Sequence, residues 1–404
     1  MNSFKPGAAR ALFLSTSAFA VSFALWGLIG ALAPTFAQAY GLSAKAKSLM
    51  IAIPVLLGAL GRIPAGMLAD RFGGRSVFAA LLFLSAIPAV LIGFSNSYAA
   101  LIALGLFLGV AGSTFPVGVG FTSKWFTADQ QGAALGVYGM GNIGQSVAVF
   151  GAPVLAIALG SWRPVFFVFA AVSVAWSMVF FIFARDAATQ SKPKTMAENL
   201  SVLRREPLAW VLSLFYFLTF GGFVAFSIYL PTLLKDSFKL TASDAGARTA
   251  GFVLLATLMR PVGGMLADRF GGARVLVPVF ITIALLGTLM GCPWMPTFTI
   301  GALGAAAALG VGNGAVFKLV PQYFPKETAT VTGLVGAFGG LGGFFPPLVL
   351  GVLRDAAGAY TWGFIFLAAF SLLCLATNYF VFLKERTIPV CDGQDWTTKG
   401  PVMP

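Results

Sequence analysis

Residues 61–77 read GRIPAGMLADRFGGRSV, and residues 260–275 read RPVGGMLADRFGGARV. The nine residues GMLADRFGG are identical at 66–74 and 264–272, an offset of 198 in a chain of 404. Each copy closes an apolar run, and each run carries an arginine at the same offset, Arg62 in the first copy and Arg260 in the second. An identical repeat at half-length predicts two structurally equivalent halves. In an apolar chain it predicts two helical bundles with a binding site on the pseudo-symmetry axis between them.

The composition sets the medium. Hydrophobic residues make up 58% of the chain and charged residues 10%, with a mean hydropathy of +0.89. A soluble domain of this size would need roughly a quarter of its residues charged, so the chain reads as an integral, multi-pass protein of the lipid bilayer. The three cysteines, Cys292, Cys374 and Cys391, are odd in number and widely spaced, and histidine is absent. Neither a disulfide framework nor a metal site is suggested, and no cofactor is expected. The formal charge of +13 raises the question of nucleic acid, but the basic residues lie in short loops between apolar spans. That is the pattern of the positive-inside rule, and no nucleic-acid partner is expected.

Twelve apolar runs of spanning length occur, at 11–39, 46–69, 76–95, 98–126, 131–159, 162–184, 209–235, 245–267, 274–293, 297–322, 328–354 and 360–384. The run at 11–39 ends near Ala37-Gln38-Ala39, which resembles a signal-peptidase site, but it is too long for a signal peptide and reads as an uncleaved helix. The one substantial polar stretch, 185–208, separates the sixth and seventh runs. The predicted fold is all-α: a six-helix bundle over 1–184, a linker over 185–208, and a second six-helix bundle over 209–404 with a short polar tail. Placing both termini and the linker on one side puts sixteen Lys and Arg there against seven on the other. Termini and linker are therefore expected in the cytoplasm, and the protein in the cell's inner, cytoplasmic membrane.

With basic residues at the span ends counted among the loops, only Arg62, Arg260 and Lys318 remain within spans. An arginine at bilayer depth costs roughly 2.5–3.5 kcal/mol on insertion scales and faces a cavity when it is functional. Arg62 precedes Asp70 by eight residues, about 12 Å of helix, which exceeds comfortable snorkelling reach. Arg260 lies at the same depth. Lys318 stands close to the end of its span at Pro321 and is expected to snorkel. Two arginines on one cavity imply an anion, because the planar guanidinium fork matches a planar oxyanion. No acidic residue falls in the interior of a span, so a cation site and an intramembrane carboxylate relay are both disfavoured. Charge alone does not exclude a phosphorylated or larger organic anion.

The fifth and eleventh spans carry glycine runs at corresponding places, GVYGMGNIG at 136–144 and GAFGGLGGFFPP at 336–347. Small residues permit close helix packing in membranes, and glycine also lets backbone approach a small ligand. Gly139, Gly141, Gly339 and Gly340 are the candidates for that approach, and Asn142 offers an amide within the run. The repeat loops contain Asp70, Arg71 and Arg75 in one half and Asp268 and Arg269 in the other. A carboxylate there can pair with arginine or face a helix N-terminus, contacts suited to a gate that breaks in one conformation.

The fragment GMLADRFGGR at 66–75 resembles the loop signature of the major facilitator superfamily, and its second copy strengthens the likeness. The arginines on the second and eighth spans, with GMGNIG and GGLGGFFPP on the fifth and eleventh, resemble the nitrate/nitrite porter family across essentially the whole chain. That resemblance implies a major facilitator fold of twelve transmembrane helices. It further implies that Arg62 and Arg260 clamp the substrate, assisted by Asn142, by Tyr216 and Phe220 in LFYFLTFGGF, and by Phe23 and Phe115. Tyr138 departs from the family pattern, where a smaller residue is expected. The implied substrates are nitrate and nitrite, moved by alternating access in a functional monomer that performs no covalent chemistry. The family contains both nitrate/nitrite exchangers and proton-linked importers. The missing acidic relay favours exchange here; proton symport and carriage of another small organic anion are the alternatives.

Overall fold

A computed structural model describes residues 5–187, 196–357 and 361–384. Cys391 and, of the Lys and Arg counted on the two sides, Lys192, Lys194, Arg386 and Lys399 lie outside the described residues, as do the side chains of Lys45, Lys47 and Arg354. The first six spans are α1 (Ala8–Ala31, continued by Ala33–Tyr40), α2 (Ala44–Leu60, continued by Arg62–Phe72), α3 (Gly74–Phe94), α4 (Tyr98–Leu108 and Thr114–Ser123), α5 (Gln131–Gly139 and Ile143–Ala158) and α6 (Arg163–Phe183). A linker helix, Met196–Arg205, precedes α7 (Pro207–Phe238), α8 (Ala242–Phe270), α9 (Gly272–Met290), α10 (Met295–Tyr323), α11 (Thr328–Ala357) and α12 (Thr361–Asn378). Among the described residues, eleven helices are long and apolar enough to cross a membrane. The thirty-residue α11 is the twelfth.

Local sequence explains the helix starts and turns. Ser43, Ser97 and Thr241 accept the N–H three residues on, satisfying free donors at the beginnings of α2, α4 and α8. Pro207 opens α7, where its missing N–H costs nothing. The repeat loops turn on Gly73 and Gly271, with φ of 89° and 86°, values that side-chain-bearing residues avoid. The two copies of the motif thus fold alike.

Equivalence of the halves extends to their outer helices. Ser173 on α6 donates to the Leu82 carbonyl of α3 at 2.9 Å, and Ser371 on α12 donates to the Phe280 carbonyl of α9 at 2.8 Å. Both members of the second pair stand 198 residues after those of the first. The inner helices meet across the centre, α2 against α11 and α5 against α8. These seams are tightest at the end carrying the repeat loops, called here the loop end. Backbones touch where Gly132 faces Gly264, and a side chain on Gly66 or Gly333 would strike the carbonyls of Ala329 or Arg62. Small residues let the halves close there. The linker helix runs along the loop end beside α2 and α11, with Leu203 buried and its carbonyl taken by the Trp210 indole at 2.9 Å.

The halves differ in continuity. α2 is interrupted at Gly61, α4 passes through a 3₁₀ stretch at Gly109–Ser113, and α5 through another at Met140–Asn142. Their partners α8 and α10 run unbroken.

Candidate functional site

The interruptions free carbonyls that the arginines occupy. Pro116 has no N–H for the Gly112 carbonyl four residues before it, and Arg62 Nε donates to that oxygen at 3.1 Å. At the 3₁₀ turn of α5 the Ile143 N–H bonds back to Met140. The Gly139 carbonyl is taken instead by Arg260 Nη1 at 2.8 Å. Arg62 Nη1 in turn reaches across to the Gly336 carbonyl on α11 at 2.6 Å. Each arginine therefore bridges from its own half to the glycine run of the other. Both are 3% exposed, and neither has a carboxylate partner among the described residues. Carbonyl oxygens hold the forks in place without neutralising them.

Aromatic rings wall the space. The Phe220 ring centre lies 5.5 Å from the Arg62 Cζ and 5.4 Å from the Arg260 Cζ. Tyr216 stacks on Phe220 at 4.9 Å with planes 4° apart, and its hydroxyl accepts from Arg260 Nη2 at 3.1 Å. Phe115 lies 5.8 Å from the Arg62 Cζ and parallel to Tyr216 at 6.4 Å. Asn142 is buried, and among the described residues neither its amide oxygen nor its nitrogen has a partner. Arg62, Arg260, Tyr216, Phe220 and Phe115 are thus brought together as one buried cluster. Gly139 and Gly340 pack near Arg260 and Arg62, and Gly339 faces the Tyr216 ring.

Two candidates lie outside that cluster's contacts. Gly141 faces the ring of Phe19, and Phe23 packs edge-on to Phe19 at 4.3 Å and tilted against Trp26 at 5.1 Å. Phe19 is the α1 residue that reaches Phe115, at 5.3 Å. Tyr138, the departure from the family pattern, is a core residue. It stacks on Phe19 and Phe115 at 5.0 and 5.7 Å and donates to the Phe115 carbonyl at 3.0 Å. Gly118 opposite leaves room for its hydroxyl. Phe317 on α10, which the sequence reading passed over, edges onto Phe115 at 4.8 Å and Tyr216 at 4.5 Å. In a chain with 40 phenylalanines, nothing local distinguishes it.

At the loop end the repeat carboxylates cross the seams. Asp70 accepts from the Thr330 and Ala329 amides at the start of α11, at 2.7 and 3.4 Å. Asp268 accepts from the Gly132 and Ala133 amides at the start of α5, at 2.8 and 2.7 Å. Each charge caps a helix N-terminus of the opposite half. The loop arginines do not cross. Arg75 bonds the Phe181 carbonyl of its own half at 2.7 Å, while Arg71 and Arg269 lie over their neighbours Phe72 and Phe270. Lys318 corrects the snorkelling expectation. It is 6% exposed, 2.7 Å from Asp268, and donates to the Ala128 carbonyl of the other half. The inward-facing side of α10 at this level, packed on α8, gives it a buried anion that a span-end count does not reveal.

The model of the Major Facilitator Superfamily matches residues 14–247 and 212–395. A "Nitrite extrusion protein" of Bacillus subtilis is 40% identical, over 93% of this chain and 95% of that protein. This chain belongs to the nitrate/nitrite porter family of the major facilitator superfamily. A "Probable nitrate/nitrite antiporter NarK1" of Thermus thermophilus is 38% identical, over 85% of this porter and 85% of that protein. Among solved structures, the human organic anion transporter MFSD10 superposes on the porter with a TM-score of 0.76 at 18% identity, over 93% of this chain and 100% of that one. That likeness is one of fold.

Proposed function

We propose that this porter exchanges nitrate and nitrite across the cytoplasmic membrane by alternating access, its loop end and both termini facing the cytoplasm. The observation that carries the proposal is the pair of buried guanidiniums that share one aromatic ring, Phe220, and have no carboxylate partner among the described residues. A planar, weakly hydrated anion fits between the forks with rings on its faces. Tyr216, having accepted from Arg260, still has its own proton to donate to an anion oxygen. The relatives' printed names point to the same substrates. One chain supplies both halves of the chamber, so no second copy is required, and the process is vectorial movement with no covalent step.

Exchange follows from charge. With both Cζ atoms within 5.5 Å of the Phe220 ring centre, the two cations lie no more than about 11 Å apart and at an effective dielectric of about 20 repel by at least on the order of 1–2 kcal/mol, and closing an empty chamber also strips them of water. A bound anion offsets one charge and lets the halves rock. The loaded carrier then crosses readily and the empty one returns slowly, which couples nitrate entry to nitrite exit.

Reconstituted vesicles test this. Nitrate uptake should be fast into vesicles holding nitrite and slow into vesicles free of either anion. Rapid uptake into anion-free vesicles under an inward proton gradient would establish symport instead. In the same preparation Arg62→Lys and Arg260→Lys should each weaken nitrate binding by about 100-fold, the loss of a charge-assisted fork to a point charge. Near wild-type affinity in both variants would remove the clamp.

A further inference from the structure

The internal repeat singles out a residue on α10. The offset of 198 that carries Arg62 onto Arg260 also carries Phe115 onto Asn313, and Trp125-Phe126 onto Tyr323-Phe324. Phe115 presents its ring to Arg62. The corresponding place beside Arg260 therefore holds an amide where the first half has a ring. Local packing agrees with this register. Asn313 precedes Phe317 by one turn, on the face of α10 that meets Phe115 and Tyr216. The next residue, Gly314, lies against the backbone carbonyl of Arg260.

Asn313 is 2% exposed, its amide oxygen has no partner, and its side chain makes no hydrogen bond among the described residues. A core asparagine behaves otherwise. Asn378, equally buried, shares the unpartnered oxygen, but its nitrogen donates to the Ala273 carbonyl at 2.9 Å and so ties two helices together. Buried amides are normally bonded because leaving them unmade is costly. An amide that ties no helix to another, beside an arginine with donors to spare, is matched to a ligand. Asn142 on α5, three residues after the Gly139 carbonyl that Arg260 holds, has neither amide atom partnered among the described residues. Each orphan amide thus lies within one helical turn of a residue that touches Arg260, Gly139 for Asn142 and Gly314 for Asn313, one from each half.

We propose that Asn313 contacts the substrate and separates nitrate from nitrite, a role that rests on the anion-exchange reading above. Two forks from opposite halves suit two oxygens, which is all that nitrite has. Nitrate carries a third, with lone pairs for two further donors, and the amides of Asn142 and Asn313 supply them. Nitrite leaves both amides unused. Losing the Asn313 donor then penalises nitrate and spares nitrite.

The test is calorimetric titration of the purified full chain with nitrate and with nitrite, alongside thermal unfolding without anion. Asn313→Leu is nearly isosteric and removes the donor. Nitrate affinity should fall about tenfold, nitrite affinity should change by less than about twofold, and the melting temperature should hold or rise. Asn313→Ser, which keeps a donor, should recover part of the nitrate affinity. Equal losses for both anions, no loss for either, or a variant that fails to fold would each overturn the proposal, the last by showing a structural role. If the wild-type chain bound neither anion, the exchange reading itself would fall, which is a different result.

Discussion

Asp70 and Asp268 occupy the same place in the two repeats, and each caps a helix of the opposite half, yet their counter-charges differ. Asp268 has Lys318 at 2.7 Å, both side chains 8% exposed, and that lysine also grips the Ala128 carbonyl across the seam. Asp70 has Lys124 at 3.9 Å, with the lysine side chain 27% exposed. The lysines come from non-equivalent positions: 124 plus the repeat offset falls on Gln322, and 318 less the offset falls on Gly120. Conserving a backbone motif between the halves has not conserved the electrostatics around it. Both seams are closed by a carboxylate and two amides; at the α5/α8 seam that carboxylate is backed by a buried lysine of its own half which also reaches the Ala128 carbonyl across the seam, while at the α2/α11 seam the linker helix lies alongside.

The largest expected effect follows from removing the buried cation. Lys318→Met leaves Asp268 buried without its counter-charge, a change that costs about 3–5 kcal/mol when nothing relaxes. Hydrogen exchange reads the latches directly, because the amides of Gly132, Ala133, Ala329 and Thr330 donate to the two carboxylates. Protection at Gly132 and Ala133 should drop by about 100-fold or more. If the halves rock as rigid bodies, Ala329 and Thr330 lose protection too. Unchanged protection at all four would mean that the ion pair does not hold the seam, and a response confined to α5 would mean that the latches open independently.

Asp70→Asn should do less. The amide oxygen can still accept from Thr330, so the loss is the charge on the bond and its interaction with the α11 N-terminus, about 1–2 kcal/mol in all. Exchange at Ala329 and Thr330 should rise about tenfold. Nitrate affinity of the loop-closed form should stay put, since Asp70 lies two turns from Arg62. Lost affinity with unaltered exchange would assign Asp70 to the site and not to the gate.

Much of this was legible in the residues. The spans follow from hydropathy and match the helices to within a few residues, because a bilayer admits few alternatives to a helix about 20 residues long. Arg62 and Arg260 stand out because charge at that depth is rare. Tyr216, Phe220 and Phe115 follow from family likeness, and the structure gathers them around the arginines. Three features were hidden for physical reasons. Lys318 is paired by tertiary packing of α8 on α10, which span-end counting cannot see. The 3₁₀ turns of α4 and α5 arise where glycines and Pro116 loosen the ladder, and periodicity does not report a shift of one bond. Phe19 and Phe317 are ordinary apolar residues by composition. Asn313, by contrast, carried a signal in the repeat, since its offset partner is Phe115.

The smallest expected effect sharpens the comparison most. Lys124 stands at the outer limit of ion-pair distance from Asp70 and is partly solvated, so its Coulomb gain is screened and offset by the entropy of holding a long side chain. Its Nζ is not needed to satisfy the carboxylate, which already accepts from Thr330 and Ala329. Lys124→Ala should therefore change exchange at Ala329 and Thr330 by no more than about twofold, within the 0–1 kcal/mol range of exposed pairs. What residual effect exists should vanish in high salt, while that of Lys318→Met should persist there, because buried charges are weakly screened. A Lys124→Ala variant that loosened the α2/α11 seam as far as Lys318→Met loosens the other would show the two latches to be electrostatically equivalent, and burial would not be what distinguishes them.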